Sequence, residues 1–169
     1  TVLSLVRDDV DDIGLCARSA DDPAMRIHLF AERPLCAVVA PTHRFAQMTK
    51  VSPVELAHER LIFMTEAFGV QHFLQSLLDD VRLNVIPAYR VDLFNTAQTL
   101  AAAGLGVAFM SSVTARRGIE LGELVAVPID HPIATGFASQ MVTRVGRRLS
   151  PAADHLWKQL AQSFMRSGG

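Results

Sequence analysis

The stretch NTAQTLAAAGLGVAFM at positions 95–110 restricts the fold more than any other part of the chain. It places a helix start, a short helix, a glycine stop and an apolar strand in direct succession. Asn95 is a strong N-cap residue and Gln98 stands three positions on, the spacing of a capping box in which each side chain serves a free backbone N–H. Ala97, Leu100 and Ala101 recur at helical spacing, and the alanines at 101–103 keep the buried face small. Gly104 supplies the left-handed C′ residue, and Gly106 lets the chain turn straight into Val107-Ala108-Phe109-Met110, an apolar run of strand length. The result is an αβ unit. It is not a phosphate loop, because Gly104-Leu105-Gly106 follows a helix and position 109 is Phe where the GxGxxG pattern needs Gly.

The rest of the chain alternates in the same way. Thr1 is placed to cap a short helix through Val2, Leu3, Leu5 and Val6. The apolar run at 13–17 reads as a parallel strand covered on both faces. After a polar loop at 18–23, residues 26–30 alternate as a strand, Glu32-Arg33-Pro34 interrupts, and 35–40 resumes as a buried strand. Two collinear strands split by a proline suggest a crossing between lobes, and His131-Pro132 suggests a second. Ser52-Pro53 opens a helical turn by the Ser cap and Pro N1 rule. Leu61-Ile62-Phe63-Met64 is a strand. Val70, Phe73, Leu74, Leu77, Leu78 and Val81 then follow the spacing of one helix face. Residues 87–91, 124–128 and 137–142 read as strands and 111–122 as a connector. Ser150 as cap, Pro151 at N1 and Asp154 in the first turn open a last helix. Its inner face is Ala153, Leu156, Trp157, Leu160, Ala161 and Phe164, so Trp157→Ala should cost about 3–5 kcal/mol. Strands alternating with helices predict an α/β fold with mostly parallel sheets, and two crossings make one lobe discontinuous.

Composition removes several classes of function. With 169 residues, 50% hydrophobic and 20% charged, the chain can bury a core of its own. A formal net charge of -1 gives no global attraction to nucleic acid or anionic membrane. No apolar run approaches the ~20 residues of a membrane span, and the opening TVLSLVRDDVDD lacks the basic region of a secretory signal, so a cytoplasmic protein is expected. Cys16 and Cys36 lie in apolar runs without a CxxC pattern and read as buried structural thiols. His58-Glu59 begins like HExxH, but position 62 is Ile. Neither a nucleophile elbow nor a Walker sequence appears, so no catalytic residue, metal or cofactor is assigned.

Four segments together resemble a known family: LVRDDVDDIGL, FAERPLCAVVAPTHRFA, AAAGLGVAFM, and LVAVPI with the closing helix. In this order and spacing they are similar to the effector-binding domain of LysR-type transcriptional regulators. Three positions depart from the family pattern. Asp9 stands where the family has glycine, Arg44 follows His43 in place of proline, and Ser111 stands where a proline often ends the strand.

The resemblance implies a two-lobed fold like the type 2 periplasmic solute-binding proteins, each lobe a mostly parallel sheet flanked by helices. Lobe I would comprise 1–32 plus 136–169, discontinuous and incomplete at its N-terminus, and lobe II 33–135. It also implies that the chain is a fragment of a longer regulator, whose helix-turn-helix and first regulatory strand and helix precede Thr1. A small effector, expected to carry a carboxylate, would bind in the interlobe cleft, where ligands of open α/β sheets meet strand ends and helix N-termini. The contacts expected there are Cys16, Ala17, Arg18, Thr65, Glu66, Phe94, Asn95, Thr96 and Met110. The implied partners are a second copy, as homodimer or tetramer, and DNA only through the N-terminal domain, with no membrane. A transport-system solute-binding protein of the same fold is the alternative.

Overall fold

Residues 2–17, 22–29 and 33–166 are described by a computed structural model of the chain. Thr1 as a helix cap, Arg18 as an effector contact and Glu32 in the first crossing lie outside the described residues, as does the side chain of Phe164. The chain separates into two compact units, Thr1–Glu32 with Ala138–Gly169 and Arg33–Phe137.

The first unit holds α1 (Val2–Arg7), β1 (Gly14–Ala17), β2 (Met25–Leu29), β8 (Ser139–Arg144) and α6 (Pro151–Arg166). Its sheet runs β1-β8-β2, and β8 is antiparallel to both neighbours, pairing Gly14 with Val142 and Ile27 with Val142. The parallel, doubly covered strand expected at 13–17 is therefore corrected. Leu15 is 48% exposed, so one face of β1 is open. Val6, Met25 and Val142 form the buried cluster, with Leu3 and Ile27 packed against it. Ser150 caps α6 by accepting from the Ala153 amide at 3.2 Å, and Asp154 sits in the first turn. The inner face of α6 is less covered than its periodicity suggests: Ala153 is buried and Trp157 half-buried, but Leu156 is 51% exposed.

The second unit contains β3 (Leu35–Val39), β4 (Leu61–Met64), α2 (Gly69–Asp80), β5 (Tyr89–Val91), α3 (Phe94–Ala102), β6 (Val107–Ser111), α4 (Arg116–Glu120), β7 (Val125–Pro128) and α5 (Pro132–Thr135). A five-stranded sheet orders them β5-β4-β6-β3-β7. Strand β4 is parallel to β5 and β6, whereas β3 is antiparallel to β6 and β7. The α/β class stands, but the first unit's sheet is antiparallel and the second's is mixed, so neither is mostly parallel. The reason is physical: an apolar run such as Leu35–Val39, buried throughout, reports that both faces are covered and is silent on the direction of its neighbours. Part of the expected connector at 111–122 is helical, as α4. In the 3-10 turn Pro53–His58, Glu55 Oε2 accepts from the Ser52 amide at 3.2 Å, which ties the Ser-Pro start down.

The two glycines after α3 serve different needs. Gly104 adopts φ 71 at the C′ position, the Leu105 amide donates to Leu100 O at 3.0 Å and the Gly104 amide to Ala101 O at 2.9 Å, which is a Schellman turn. Gly106 answers a close approach: a Cβ there would lie 2.4 Å from Arg60 O, the carbonyl that accepts the Val107 amide at 2.8 Å.

Candidate functional site

Strands β4 and β5 run side by side in parallel with Met64 opposite Val91, and the Thr65 amide extends the ladder by donating to Val91 O at 2.9 Å. Both chains therefore leave the sheet at the same edge. After β4, the turn closes with the Phe68 amide on Thr65 O at 3.1 Å and α2 begins. After β5, Asp92 and Leu93 lead directly into α3. The rings of Phe68 and Phe94 meet edge to face at 5.4 Å and 81°, which pins the two helix starts together.

Neither start is closed by its own side chains. The N-cap residues, Phe68 and Leu93, are extended and make no side-chain cap bond. The first helical bonds run from the Gln71 amide to Phe68 O and from the Ala97 amide to Leu93 O. The amides ahead of these bonds belong to the first turn, which helical geometry leaves without an intrahelical acceptor. With helices of 12 and 9 residues, the partial positive ends of two dipoles lie side by side.

The capping box expected at Asn95 and Gln98 does not form. Helix α3 starts at Phe94, so Asn95 lies within its first turn and is exposed. Gln98 Nε2 donates instead to Thr114 O at 3.3 Å, beyond the end of β6, where Ser111 Oγ and Thr114 Oγ1 are 3.1 Å apart. Phe94, which packs on Phe68, is the first residue of the helix, so the start lies ahead of the residue whose side chain is best suited to cap it.

Of the residues expected to contact an effector, five gather at these junctions. Thr65 and Phe94 are half-buried, and Glu66, Asn95 and Thr96 are exposed. Glu66 and Asp92 put acidic side chains in the two connecting turns. Met110 is 1% exposed in β6, paired with Cys36, and its side chain belongs to the core. Cys16 and Ala17 end β1 in the first unit, both half-buried. Phe68 was not among the residues singled out from sequence. Its signal is an aromatic residue at the entry to an amphipathic helix, directly after a strand end, as at Phe94.

The setting of both thiols disfavours the thiolate, with Cys36 buried and Cys16 half-buried. Burial pushes the Cys16 thiol above its ordinary range, against a smaller opposite effect of the Gln140 amide, whose Nε2 lies 3.5 Å from Sγ. Burial likewise pushes the Cys36 thiol up, and it donates to Pro34 O at 3.4 Å. Among the described residues no group of His, Cys, Asp and Glu can hold a metal ion, and no helix is long and apolar enough to cross a membrane.

Comparison with known proteins bears on the fold and the family. The chain is similar in structure to the regulatory domain of CcmR from Synechocystis PCC6803 in complex with 2-PG, with a TM-score of 0.83 at 16% identity, covering 96% of this chain and 78% of that one. It is also similar to the effector-binding domain of QuiR in complex with shikimate, with a TM-score of 0.77 at 16% identity, covering 99% of this chain and 76% of that one. In sequence it is 27% identical over 170 residues to the HTH-type transcriptional regulator CbbR of Sinorhizobium medicae strain WSM419, covering 99% of this chain and 52% of the relative. The chain thus spans about half the length of the curated relatives it matches. The LysR substrate binding domain family matches residues 1–165, and with its periplasmic-binding-protein-like α/β fold the chain belongs to that family, the effector-binding domains of LysR-type transcriptional regulators.

Proposed function

We propose that this chain senses a small carboxylate-bearing metabolite on behalf of a bacterial transcription regulator, without catalysing a reaction. The observation that carries the reading is the pair of adjoining helix N-termini, each without a side-chain cap, held together by Phe68 and Phe94 at the ends of two parallel strands. An effector carboxylate accepts hydrogen bonds from the free first-turn amides, a recognition mode that needs no lysine or arginine. Thr65, Asn95 and Thr96 add neutral donors and acceptors around it. Glu66 receives an ammonium or hydroxyl group of the same molecule, which favours effectors that carry one. Shikimate, named with QuiR, is a hydroxylated carboxylate of this kind.

In the longer protein, binding acts on a helix-turn-helix that holds the DNA contacts. The regulator works in the cytoplasm as a homodimer or tetramer.

Thermal-shift measurements with a panel of hydroxy- and amino-carboxylates, shikimate included, followed by calorimetry, test the reading. A carboxylate should raise the melting temperature, and Asn95→Ala should weaken its binding by about 1–3 kcal/mol. A panel without effect, or an affinity unchanged by both Asn95→Ala and Thr65→Ala, would remove the effector from these junctions.

A further inference from the structure

Helices α2 and α3 end in the same turn, built with different residues. At the end of α2 the Leu83 amide donates to Leu78 O at 2.8 Å and the Arg82 amide to Asp79 O at 3.0 Å, and the left-handed residue, with φ 54, is Arg82. The equivalent place after α3 is Gly104. A side chain at that position strains the backbone, and strain of this kind is enriched at functional sites.

Arg82 lies on a cavity of about 370 Å³, a size suited to a small metabolite. Phe63 and Leu78 give it apolar walls, and Arg90 joins it from the edge strand β5. The Arg90 guanidinium carbon lies 5.8 Å from the centroid of the Phe63 ring. Among the described residues neither Arg82 nor Arg90 has a carboxylate partner, which they share with Arg26, Arg60, Arg117 and Arg148, but they are the two arginines that line this cavity. Asp79 also lines the cavity, but its Oδ1 accepts from Gln75 Nε2 at 2.8 Å, so the local balance is two cations to one anion. The negative end of the α2 dipole is blunted as well. The carbonyls of Leu77, Leu78 and Asp79 already accept the amides of Val81, Leu83 and Arg82.

We propose that this cavity binds the oxyanion group of a small metabolite, a carboxylate or phosphate ester, on the guanidiniums of Arg82 and Arg90. Guanidinium forks match planar and tetrahedral oxyanions in paired hydrogen bonds. The place is separate from the strand-end junctions. Helix α2 begins at those junctions and ends at the cavity, and its 12 residues span roughly 18 Å.

Backbone amide NMR of the isotope-labelled protein, titrated with succinate and separately with inorganic phosphate at ionic strength held constant by chloride, tests this. Saturable shifts are expected at residues 82–85 and 90 with at least one of the two, and the tighter of them identifies the oxyanion class. Arg90→Gln should weaken the response tenfold or more. Arg82→Gly should melt no lower than the parent, since glycine relieves the left-handed backbone, yet lose binding to the same degree. The absence of saturable shifts at these amides with either anion would overturn the proposal. So would an affinity that both variants leave unchanged.

Discussion

The carboxylate of Asp9 lies 2.7 Å from Nη1 of Arg144, a residue 135 positions away, and bonds Arg147 as well, while the Asp9 backbone itself is held at φ 62. The positive φ accounts for the glycine found at this place in the family pattern. An aspartate is retained there with two guanidiniums on its side chain. Asp9→Gly should relieve the backbone and lose the ion pairs, whereas Asp9→Ala loses the pairs and keeps the strain, so the alanine variant should be the less stable of the two. Acid should erase part of the parent's advantage over Asp9→Ala. The hydrogen bond from the Arg147 guanidinium is the largest influence and holds the Asp9 carboxyl below the usual carboxylate range, with desolvation opposing it and Arg144 adding to it. A depressed folded value means the contribution is whole above the unfolded value of about 3.9 and is lost as pH falls through the folded one. Urea unfolding should show a constant gap between the parent and Asp9→Ala from pH 7 to about 5, narrowing below about 4.

Gly104 and Gly106 separate backbone conformation from steric approach within one loop. Gly104→Ala meets nothing within 4 Å and should cost only the left-handed penalty, about 1 kcal/mol. Gly106→Ala drives a methyl group against a backbone carbonyl between β6 and β4 and should cost more than about 3 kcal/mol. Equal melting temperatures for the two variants would contradict this account.

Asn95→Ala separates binding from stability. Since Leu93 and not Asn95 is the N-cap of α3, the substitution removes no cap and places the best helix former in an exposed first turn. Stability should stay within about 0.5 kcal/mol of the parent. A loss of about 1 kcal/mol or more, the cost of deleting a working cap, would restore Asn95 to that role.

Trp157 should matter less than helical periodicity alone suggests. It is half-buried, with the His28 ring edge-on at 6.3 Å, and its neighbour Leu156 is 51% exposed. Trp157→Ala should therefore cost about 1.5–2.5 kcal/mol, half the figure for complete burial. Chemical denaturation giving about 4 kcal/mol would show that α6 is held more tightly than its exposure indicates.

Phe68 and Phe94 should be energetically coupled. An edge-to-face pair contributes about 0.5–1.5 kcal/mol beyond area burial, so a double-mutant cycle with leucine at both positions should recover coupling of that order. Additivity would mean that the two helix starts are aligned by other contacts.

Much of the fold was legible because its signals are local. The αβ unit at 95–110, the α2 stripe from Val70 to Leu78 and the Ser150-Pro151 start of α6 depend on neighbours a turn away, and each element formed. Strand direction was not legible. Leu35–Val39 is as apolar as a strand between parallel neighbours, yet both its partners are antiparallel, and the choice is made by where β6 and β7 enter the sheet. The candidate site was half legible. Strand ends and helix starts can be read from the chain, but the contact that pins them, Phe68 on Phe94, joins residues that no period connects. With α3 starting at Phe94, Asn95 is left without the capping role its chemistry suggests.

The order β1-β8-β2 sets a timetable for synthesis. Among the described strands, β1 and β2 have only β8 to bond to, and Gln140 meets Cys16, 124 positions away. The residues of the second unit are contiguous, so that unit can close its sheet while the ribosome is still at work. Among the described strands, Ile27, Leu15 and Met25 have no pairing partner until β8 emerges. The span between the birth of β2 and the arrival of β8 is the period in which these strands are open to wrong partners, and it lasts for as long as the whole of the second unit takes to be made.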